Sequence, residues 1–348
     1  MSWNNTTTIN GTSARIFYIL DFIKQEFIVY LPLIFISFGV IGFIGNAFTF
    51  LQPSLRFNNC CIYLLCGSLV DVMNLFINLL MNYLNVTTGY ILSLITVRHL
   101  CKLKIFSLVF LPQLSINFLA LSLIDRFACT CSLTSSIRHI RRLKMIPWII
   151  VIIIAISGIS SFYAPIYYDI VPNLGCVCTN RLFNAVLYII VHGFITPFFM
   201  SIFVLLTYRN VQLSRHRAGL KNLANIDRSR NPFIRMIFTQ VFTTSFLTLQ
   251  WIIFYIYHLI VVDNIKSDEQ HTVHYFVWYV SNNIYYLINV KSFYLSTLTS
   301  RSFRKTFLGA LFQLLSCRQQ RQNNIKYSEY FTNTSSKTKT DDKSQYEM

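Results

Sequence analysis

The sequence has little charge for its length. Only 12% of its 348 residues are charged, and 13 are acidic. A soluble domain carries about 25% charged residues. The low charged fraction therefore excludes a protein that is soluble over its whole length. The hydrophobic fraction is 54%. Together these values predict an all-α integral membrane protein.

The chain also lacks the groupings that enzymes and metal sites need. None of the nine Cys residues has the spacing of a zinc site. No His, Cys or Asp grouping has the spacing of a nucleophile and its base. His271 and His274 lie in or beside a predicted loop. We therefore expect no enzyme activity, no metal and no cofactor.

Long charge-free runs predict seven spanning helices, because a span needs about 20 mostly apolar residues. We place them at about 27–51, 61–84, 98–128, 145–166, 183–207, 234–262 and 275–299. The fifth run is also long enough for a re-entrant segment, but its apolarity favours a plain span. Residues 1–26 form a glycosylated N-terminal segment in this scheme. Residues 27–316 form the membrane domain, and 317–348 a polar, disordered tail.

A short amphipathic helix is predicted over 301–315, directly after the seventh span. Its apolar face contacts the inner membrane surface, with basic residues beside it. Cys317 then follows as a palmitoylation candidate, the alternative being a free cytosolic thiol. The residues of the apolar face are Phe303, Phe307, Leu308, Leu311, Leu314 and Leu315.

The distribution of basic residues predicts the orientation. The net charge of +17 lies mainly in short loops and in the tail, which indicates contact with an anionic membrane leaflet rather than with nucleic acid. With the N-terminus outside, the inner loops hold 13 Lys and Arg and the tail nine, against seven outside. Glycosylation sequons at Asn4, Asn5, Asn10 and Asn85 also fall outside. We expect a multi-pass plasma-membrane protein with a cytoplasmic C-terminus.

A few polar residues lie where the sequence otherwise avoids them. Asn46, Asp71 and Lys291 fall within spans, and Asp125-Arg126 ends the third. A charge at this depth costs about 3 kcal/mol or more. The third span carries Cys101 at its outer end, where it can form a disulfide with an outer-loop Cys. Cys176 and Cys178 are both available.

These residues resemble those of a rhodopsin-like (class A) G-protein-coupled receptor over about 27–316. The narrower likeness is to invertebrate neuropeptide receptors of the FMRFamide-receptor type, through the stretches LLTYRNVQLSR and FYLSTLTSRSFRKTF. The matching features are Gly-x-x-Gly-Asn ending at Asn46, Leu69-x-Asp71, Cys101, Asp125-Arg126-Phe127, Trp148, Pro197 and Phe303-Arg304-Lys305.

The resemblance implies a function. An extracellular ligand, a peptide or an amphipathic small molecule, would activate a heterotrimeric G protein inside the cell. Asp125, Arg126 and Phe127 would form a two-state latch that contacts the G protein. The alternative is an ion pair that only anchors the helix end.

The chain departs from the family pattern in two helices. Gln250 stands where the sixth helix usually has a Pro, and Trp251 lies just beyond the usual Trp position. In the seventh helix Ser292, Phe293 and Ser296 replace the usual Asn, Pro and Tyr. A Pro kink helps a helix swing, so a degenerate or decoy receptor with weak signalling is an alternative. A transporter or channel is a further one, but we see no continuous polar path.

Lys291 lies near mid-membrane. We expect it to pair with Asp71, beside Asn46 and Ser115, at the place where the family binds Na⁺. In the alternative, Lys291 extends to the inner interface.

The ligand cavity is predicted from polar and aromatic residues in the outer half. Amine receptors of the family have an Asp where this chain has Leu108, so a small cationic amine is not expected. Aromatic residues at these depths can equally face lipid. The predicted wall comprises Leu108, Gln113, His192, Tyr255, His258, Tyr279 and Asn283, with Tyr90, Phe106 and Phe110 nearby.

Overall fold

The structure is a computed structural model that describes residues 22, 28–88, 97–131, 143–171, 175–262 and 268–313. Side chains of residues 85, 86, 88, 214–233, 268 and 269 are outside that description. Almost all described residues are helical. Six helices are long and apolar enough to cross a membrane by length and composition. The chain is therefore a helical membrane protein.

The helices follow one another along the chain with short connections. Helix α1 is Leu31–Phe50, and α2 runs as Asn59–Asn74, Leu75–Leu80 and Met81–Thr88. The middle part of α2 is a π-helical turn. Helix α3 is Arg98–Thr130, and α4 is Ile146–Ser161, extended by Tyr163–Ile166.

The region expected to hold two separate helices is continuously helical. It begins with Arg181–Tyr188, passes through a π-helical turn at Ile189–Ile195 and continues as Thr196–Val261. The chain nevertheless reverses direction within this region. The evidence is the hydrogen bond from Trp251 Nε1 to the Tyr188 hydroxyl at 2.9 Å, which joins the two ends of the region. The two arms that pack into the bundle are α5, Arg181–Leu213, and α6, Ile234–Val261. A connecting loop without helix was expected between them and is not observed.

Helix α7 is Asp268–Thr299, and residues 301–313 form α8. Helix α7 packs against α6, α1 and α2. It is more polar than the six apolar helices and is not among those that meet the length and apolarity of a span. Its expected role as the seventh span therefore stays a prediction.

Helix α3 lies at the centre, in contact with α2, α4 and the α5–α6 pair. One apolar core lies at the α8 end, where Phe303 is fully buried and packs edge-on against Phe50 and Phe293. Glycines let α1 approach α7 closely here, because a Cβ added at Gly45 would overlap the Phe293 ring. This packing fixes α8 to the bundle through its first aromatic residue.

The surface of the bundle is apolar, as expected of a protein surrounded by lipid. Ile159 is 78% exposed, and Phe194 and Phe242 are each 74% exposed. Large apolar side chains are exposed on every helix. A surface of this kind exceeds what a soluble monomer tolerates, so the fold supports the membrane assignment independently of the hydrophobic fraction.

A short β-hairpin interrupts the otherwise helical fold and was not expected from the sequence. Strand β1, Tyr168–Val171, pairs antiparallel with β2, Gly175–Cys178. Gly175 has φ +73°, a conformation that favours glycine. The hairpin connects α4 to α5 and contacts α3. We call this end of the bundle the hairpin end and the opposite one the α8 end.

Candidate functional site

The hairpin is fixed over the bundle by a disulfide. Cys101, in the first turn of α3, is joined to Cys176 in β2, and their Cα atoms are 5.8 Å apart. Of the two partners that the sequence left open, the structure therefore has Cys176. Cys178 is a free thiol, and burial raises its pKa. It lies opposite Tyr168 in the hairpin, whose pKa burial also raises.

An ion pair provides a second attachment of the hairpin to α3. Arg98 Nη2 donates to Asp169 Oδ2 at 2.6 Å, and the backbone N–H of Ile170 donates to Asp169 Oδ1 at 2.9 Å. The hydrogen bond from Arg98 lowers the pKa of Asp169, and the Ile170 N–H lowers it further. Because the pair is largely exposed, it adds little stability. It orients the hairpin above the mouth of the bundle.

Below the hairpin lies a large cavity of about 390 Å³. This volume is within the range of small-molecule sites. Helix α3 contributes one face of its wall through Lys104, Leu108 and Pro112, which recur every four residues. The rest of the wall comes from α2, the α4–β1 segment, α5, α6 and α7. We call this space the large cavity.

Aromatic side chains form the wall opposite α3. Trp251 of α6 stacks on Tyr285 of α7, with ring centroids 5.4 Å apart, and lies 4.9 Å from Trp278. Tyr188 of α5 accepts a hydrogen bond from Trp251 and lies 5.2 Å from Tyr255. Aromatic clusters of this size bind apolar and aromatic groups strongly while their polar tips accept or donate hydrogen bonds.

Both π-helical turns adjoin the large cavity. Asn78, on the turn within α2, lines the wall, and Tyr188, which also lines it, directly precedes the turn within α5. Such turns re-aim side chains within a helix and recur at functional sites. Here they bring an amide and a phenol to the cavity from two helices.

The structure brings only part of the predicted ligand wall together. Leu108 and Tyr255 line the large cavity. Gln113 is buried elsewhere and donates to Thr196 Oγ1 at 3.1 Å, joining α3 to α5. His192 is buried and stacks on Tyr188, with centroids 4.7 Å apart. Asn283 is buried and donates to the Tyr279 carbonyl.

His258 makes interhelical contacts on α6 and is not on the wall. Its Nδ1 lies 2.7 Å from Nε2 of His274 on α7, and its ring packs 4.1 Å from Trp278. One ring nitrogen donates to the other in this contact, and the tautomers of the two rings decide which. Phe106 and Phe110 stack on each other at 5.0 Å and also do not line the cavity.

The sequence reasoning missed the residues that dominate the wall. Lys104 was counted only for the orientation, and Trp251 only as lying beyond the usual Trp position. The missed residues of α7 also follow a helical pattern, because they recur at intervals of four, three and one residues, as on one helix face. The α7 members are Trp278, Asn282, Tyr285 and Tyr286.

A second, small cavity lies deeper in the bundle. Its volume is about 20 Å³, close to the size needed for one water molecule. Asp71, Ser115 and Lys291 line it together. Ser115 Oγ donates to Asp71 Oδ1 at 2.5 Å. We call this the small cavity.

The expected direct ion pair between Asp71 and Lys291 is not formed. Lys291 Nζ donates instead to the carbonyl of Ile288 at 2.8 Å. This carbonyl lies one turn back toward the start of α7, so Lys291 also does not extend to the interface at the α8 end. Asn46, the fourth predicted member, donates to Ser292 Oγ at 3.5 Å and does not line the small cavity. The two charges therefore interact across the small cavity without touching.

Buried amides connect the large cavity to α7 near Lys291. Asn78 Nδ2 donates to Asn74 Oδ1 at 2.6 Å, and Asn74 Nδ2 donates to Asn289 Oδ1 at 3.1 Å. Asn78 is also tied to α3, since it accepts from Ser107 Oγ at 3.1 Å. Asn289 Nδ2 is buried without a hydrogen-bond partner among the described residues, so the network is only partly satisfied. Displacement of one member of such a network affects the others.

The predicted latch residues lie in the last turns of α3, at the α8 end of the bundle. Asp125 is buried and accepts a weak hydrogen bond from Cys129 Sγ at 3.9 Å. Arg126 Nη2 donates to Asn58 Oδ1 at 2.8 Å, in the turn between α1 and α2. Phe127 packs edge-on against Phe203 of α5. Arg126 thus links α3 to the neighbouring turn.

Several predicted sites lie outside the described residues. These are the sequons at Asn4, Asn5 and Asn10, the cavity residue Tyr90, the palmitoylation candidate Cys317 and the tail 317–348. Asn85 is within α2, but its side chain is not described. The basic loop between α3 and α4 is also outside the described residues.

These features define a helical membrane protein with a hairpin-covered internal cavity at one end. The chain was compared with protein-family models and with curated protein sequences. No family model matches it, and no curated protein matches its sequence.

Proposed function

We propose that the chain is a seven-helix receptor that couples a ligand in the large cavity to a heterotrimeric G protein. The observation that carries the proposal is the large cavity itself, with its volume of about 390 Å³ under a hairpin joined to α3 by the Cys101–Cys176 disulfide. A covered site with aromatic walls and convergent polar groups suits ligand recognition.

The hairpin end faces the cell exterior in this proposal, and the α8 end faces the cytoplasm. The excess of Lys and Arg at the α8 end supports this orientation. The disulfide supports it too, because disulfides persist in oxidising compartments. The ligand, a neuropeptide or an amphipathic small molecule, then enters from outside at the plasma membrane.

Signal transfer requires an element with two arrangements whose balance the ligand shifts. Helix α6 is suited to this role, because Trp251 lines the large cavity while Gln240, three turns away, donates to Ser296 Oγ at 2.8 Å on α7. A ligand that displaces Trp251 moves both ends of one rigid helix. Release of Gln240 then opens the α8 end beside Arg126, where the G protein binds.

A weakly signalling receptor is the second candidate, and one contact favours it. Gln250, in place of a kink-forming Pro, donates to Ser281 Oγ at 2.6 Å and ties α6 to α7 near the large cavity. The described part of α6 contains no Pro, so it lacks the usual cause of a sharp bend. Such a helix resists outward swinging more than a kinked one does.

A G-protein activation assay in cells tests the proposal. Cells expressing the chain are exposed to amidated neuropeptides and amphipathic small molecules, with surface expression measured in parallel. A response that Arg126→Ala abolishes at equal surface expression supports the receptor. Surface expression with ligand binding but no activation supports the weakly signalling alternative, and neither binding nor activation contradicts both.

A further inference from the structure

The large cavity has an unusual distribution of charge. Among the described residues that line it, Lys104 is the only one with a formal charge at neutral pH, and no carboxylate lines it. The remaining polar groups of the wall are amides and phenols. The described wall thus carries one positive charge and no negative charge.

Lys104 has no hydrogen-bond or ion-pair partner for its ammonium among the described residues. The nearest hairpin carboxylate, Asp169, is already held by Arg98 at 2.6 Å. Asp71 accepts from Ser115 at the small cavity. Lys104 is partly buried, and an ammonium that has lost part of its hydration gains from a nearby opposite charge. A ligand that supplies an anion therefore gains affinity there.

The charge and part of the aromatic wall come from different helices. Lys104 is six residues into α3, about 9 Å from its start and one turn beyond Cys101, which is joined to the hairpin. Trp251 of α6 packs on Tyr285 of α7 in the wall opposite α3. A ligand can therefore place an anionic group near Lys104 and an apolar body on these rings.

We propose that the large cavity binds an acidic amphipathic ligand, whose carboxylate pairs with Lys104 and whose apolar or aromatic body packs on Trp251 and Trp278. This rests on the proposed function, which makes the large cavity the ligand site. A charge-assisted hydrogen bond to a carboxylate is about twice as strong as a neutral one. Cationic ligands are repelled, and amidated peptides lack the terminal carboxylate.

Direct binding to the full chain in lipid nanodiscs tests the ligand class. The probes are N-decanoyl-tryptophan, its primary carboxamide, and the analogue in which an aminomethyl group replaces the carboxylate, each corrected for binding to empty nanodiscs. The acid is expected to bind at least about tenfold more tightly than the carboxamide. Probes with shorter and longer acyl chains test ligands that fill the cavity to different extents.

Variants of Lys104 assign the preference to this side chain. Lys104→Met is expected to weaken acid binding about tenfold to a hundredfold, while Lys104→Arg retains it. Lys104→Glu is expected to reverse the order, so that the amine binds best. Lys102→Met is the matched control, because Lys102 is on the same helix and does not line the large cavity.

Equal or undetectable binding of acid and carboxamide by the wild type overturns the proposal, as does unchanged acid preference in Lys104→Met. The G-protein assay separates this result from failure of the receptor function. Lys104-dependent acid binding without activation supports the ligand class and contradicts the receptor. Activation by an amidated peptide that Lys104→Met does not alter supports the receptor and contradicts the ligand class.

Discussion

Two lysines in this bundle line two cavities of very different size. Lys291 shares the small cavity, about 20 Å³, with Asp71, and donates to a backbone carbonyl of its own helix. Lys104 lines the large cavity, about 390 Å³, where no described carboxylate faces it. The positive charge of Lys291 is thus balanced by groups of the protein, whereas we expect a ligand to balance the charge of Lys104.

The comparison shows what decides the role of a lysine beside an internal cavity. Loss of hydration is costly unless an opposite charge or a set of hydrogen bonds replaces the water. At the small cavity the protein supplies both, through Asp71 and the Ile288 carbonyl. At the large cavity the described residues supply neither to the Lys104 ammonium. We therefore expect Lys291 variants to affect stability and Lys104 variants to affect binding.

The largest expected effect comes from removing the cover of the large cavity. Cys101→Ser breaks a disulfide that closes a loop of 75 residues, and such a loss typically costs about 2–5 kcal/mol. Surface expression and thermal unfolding should both fall strongly. Cys178→Ser, which changes the free thiol of the same strand, is the matched control and should behave as the wild type.

The next effect concerns the small cavity. Lys291→Met leaves the Asp71 carboxylate without its counter-charge and should lower the free energy of unfolding by about 1–3 kcal/mol. Asp71→Asn combined with Lys291→Met should recover much of that loss, because neither charge remains. Thermal unfolding in nanodiscs measures both. If the double variant is no more stable than Lys291→Met, the charges do not interact across the small cavity.

Lys104→Met should produce almost no change in stability, within about 0.5 kcal/mol. Its ammonium makes no hydrogen bond or ion pair with the described residues that the substitution would remove. Thermal unfolding without ligand, run beside Lys291→Met, tests the contrast between the lysines directly. A loss as large as that of Lys291→Met would mean that Lys104 also stabilises the fold.

The smallest effect concerns the hairpin and depends on pH. Because the pKa of Asp169 is lowered by Arg98, the ion pair stabilises the hairpin above the ordinary Asp pKa of 3.8. That stabilisation is lost as the pH falls through the lowered value. Hydrogen exchange of the hairpin, compared with intrinsic rates, should show more opening at about pH 3 than at about pH 6. Arg98→Ala should remove that difference, whereas Arg181→Ala should leave it.

Much of the helical architecture was predictable from the sequence. Charge-free runs such as 145–168 favour helices in lipid, because a helix satisfies its own backbone hydrogen bonds. Helix α4 and its extension cover most of this run. The sequence did not show whether the connection between α5 and α6 is a loop or a helix, because polar residues suit both. The hairpin was missed because its two strands, of four residues each, are too short for a clear alternating pattern.

The candidate site was predicted less well than the helices. Of the predicted ligand wall, Leu108 and Tyr255 line the large cavity, whereas Gln113 and His192 are buried in contacts between neighbouring helices and rings. Trp251 was judged by its position relative to a family pattern, although its contacts place it on the cavity wall. A small rotation of a helix decides which of its side chains line a cavity. Such a rotation cannot be read from the sequence.

Composition by itself determined that this chain is a helical membrane protein, because transfer of apolar side chains from water depends on their identity rather than on their neighbours. The order of the residues further predicted that Asp71 and Lys291 fall within apolar runs long enough to span a membrane. Only the tertiary structure decided that Cys176 rather than Cys178 pairs with Cys101, and that Lys104 faces a cavity. These depend on the rotation, tilt and π-helical turns of packed helices, which bring together residues far apart in the chain.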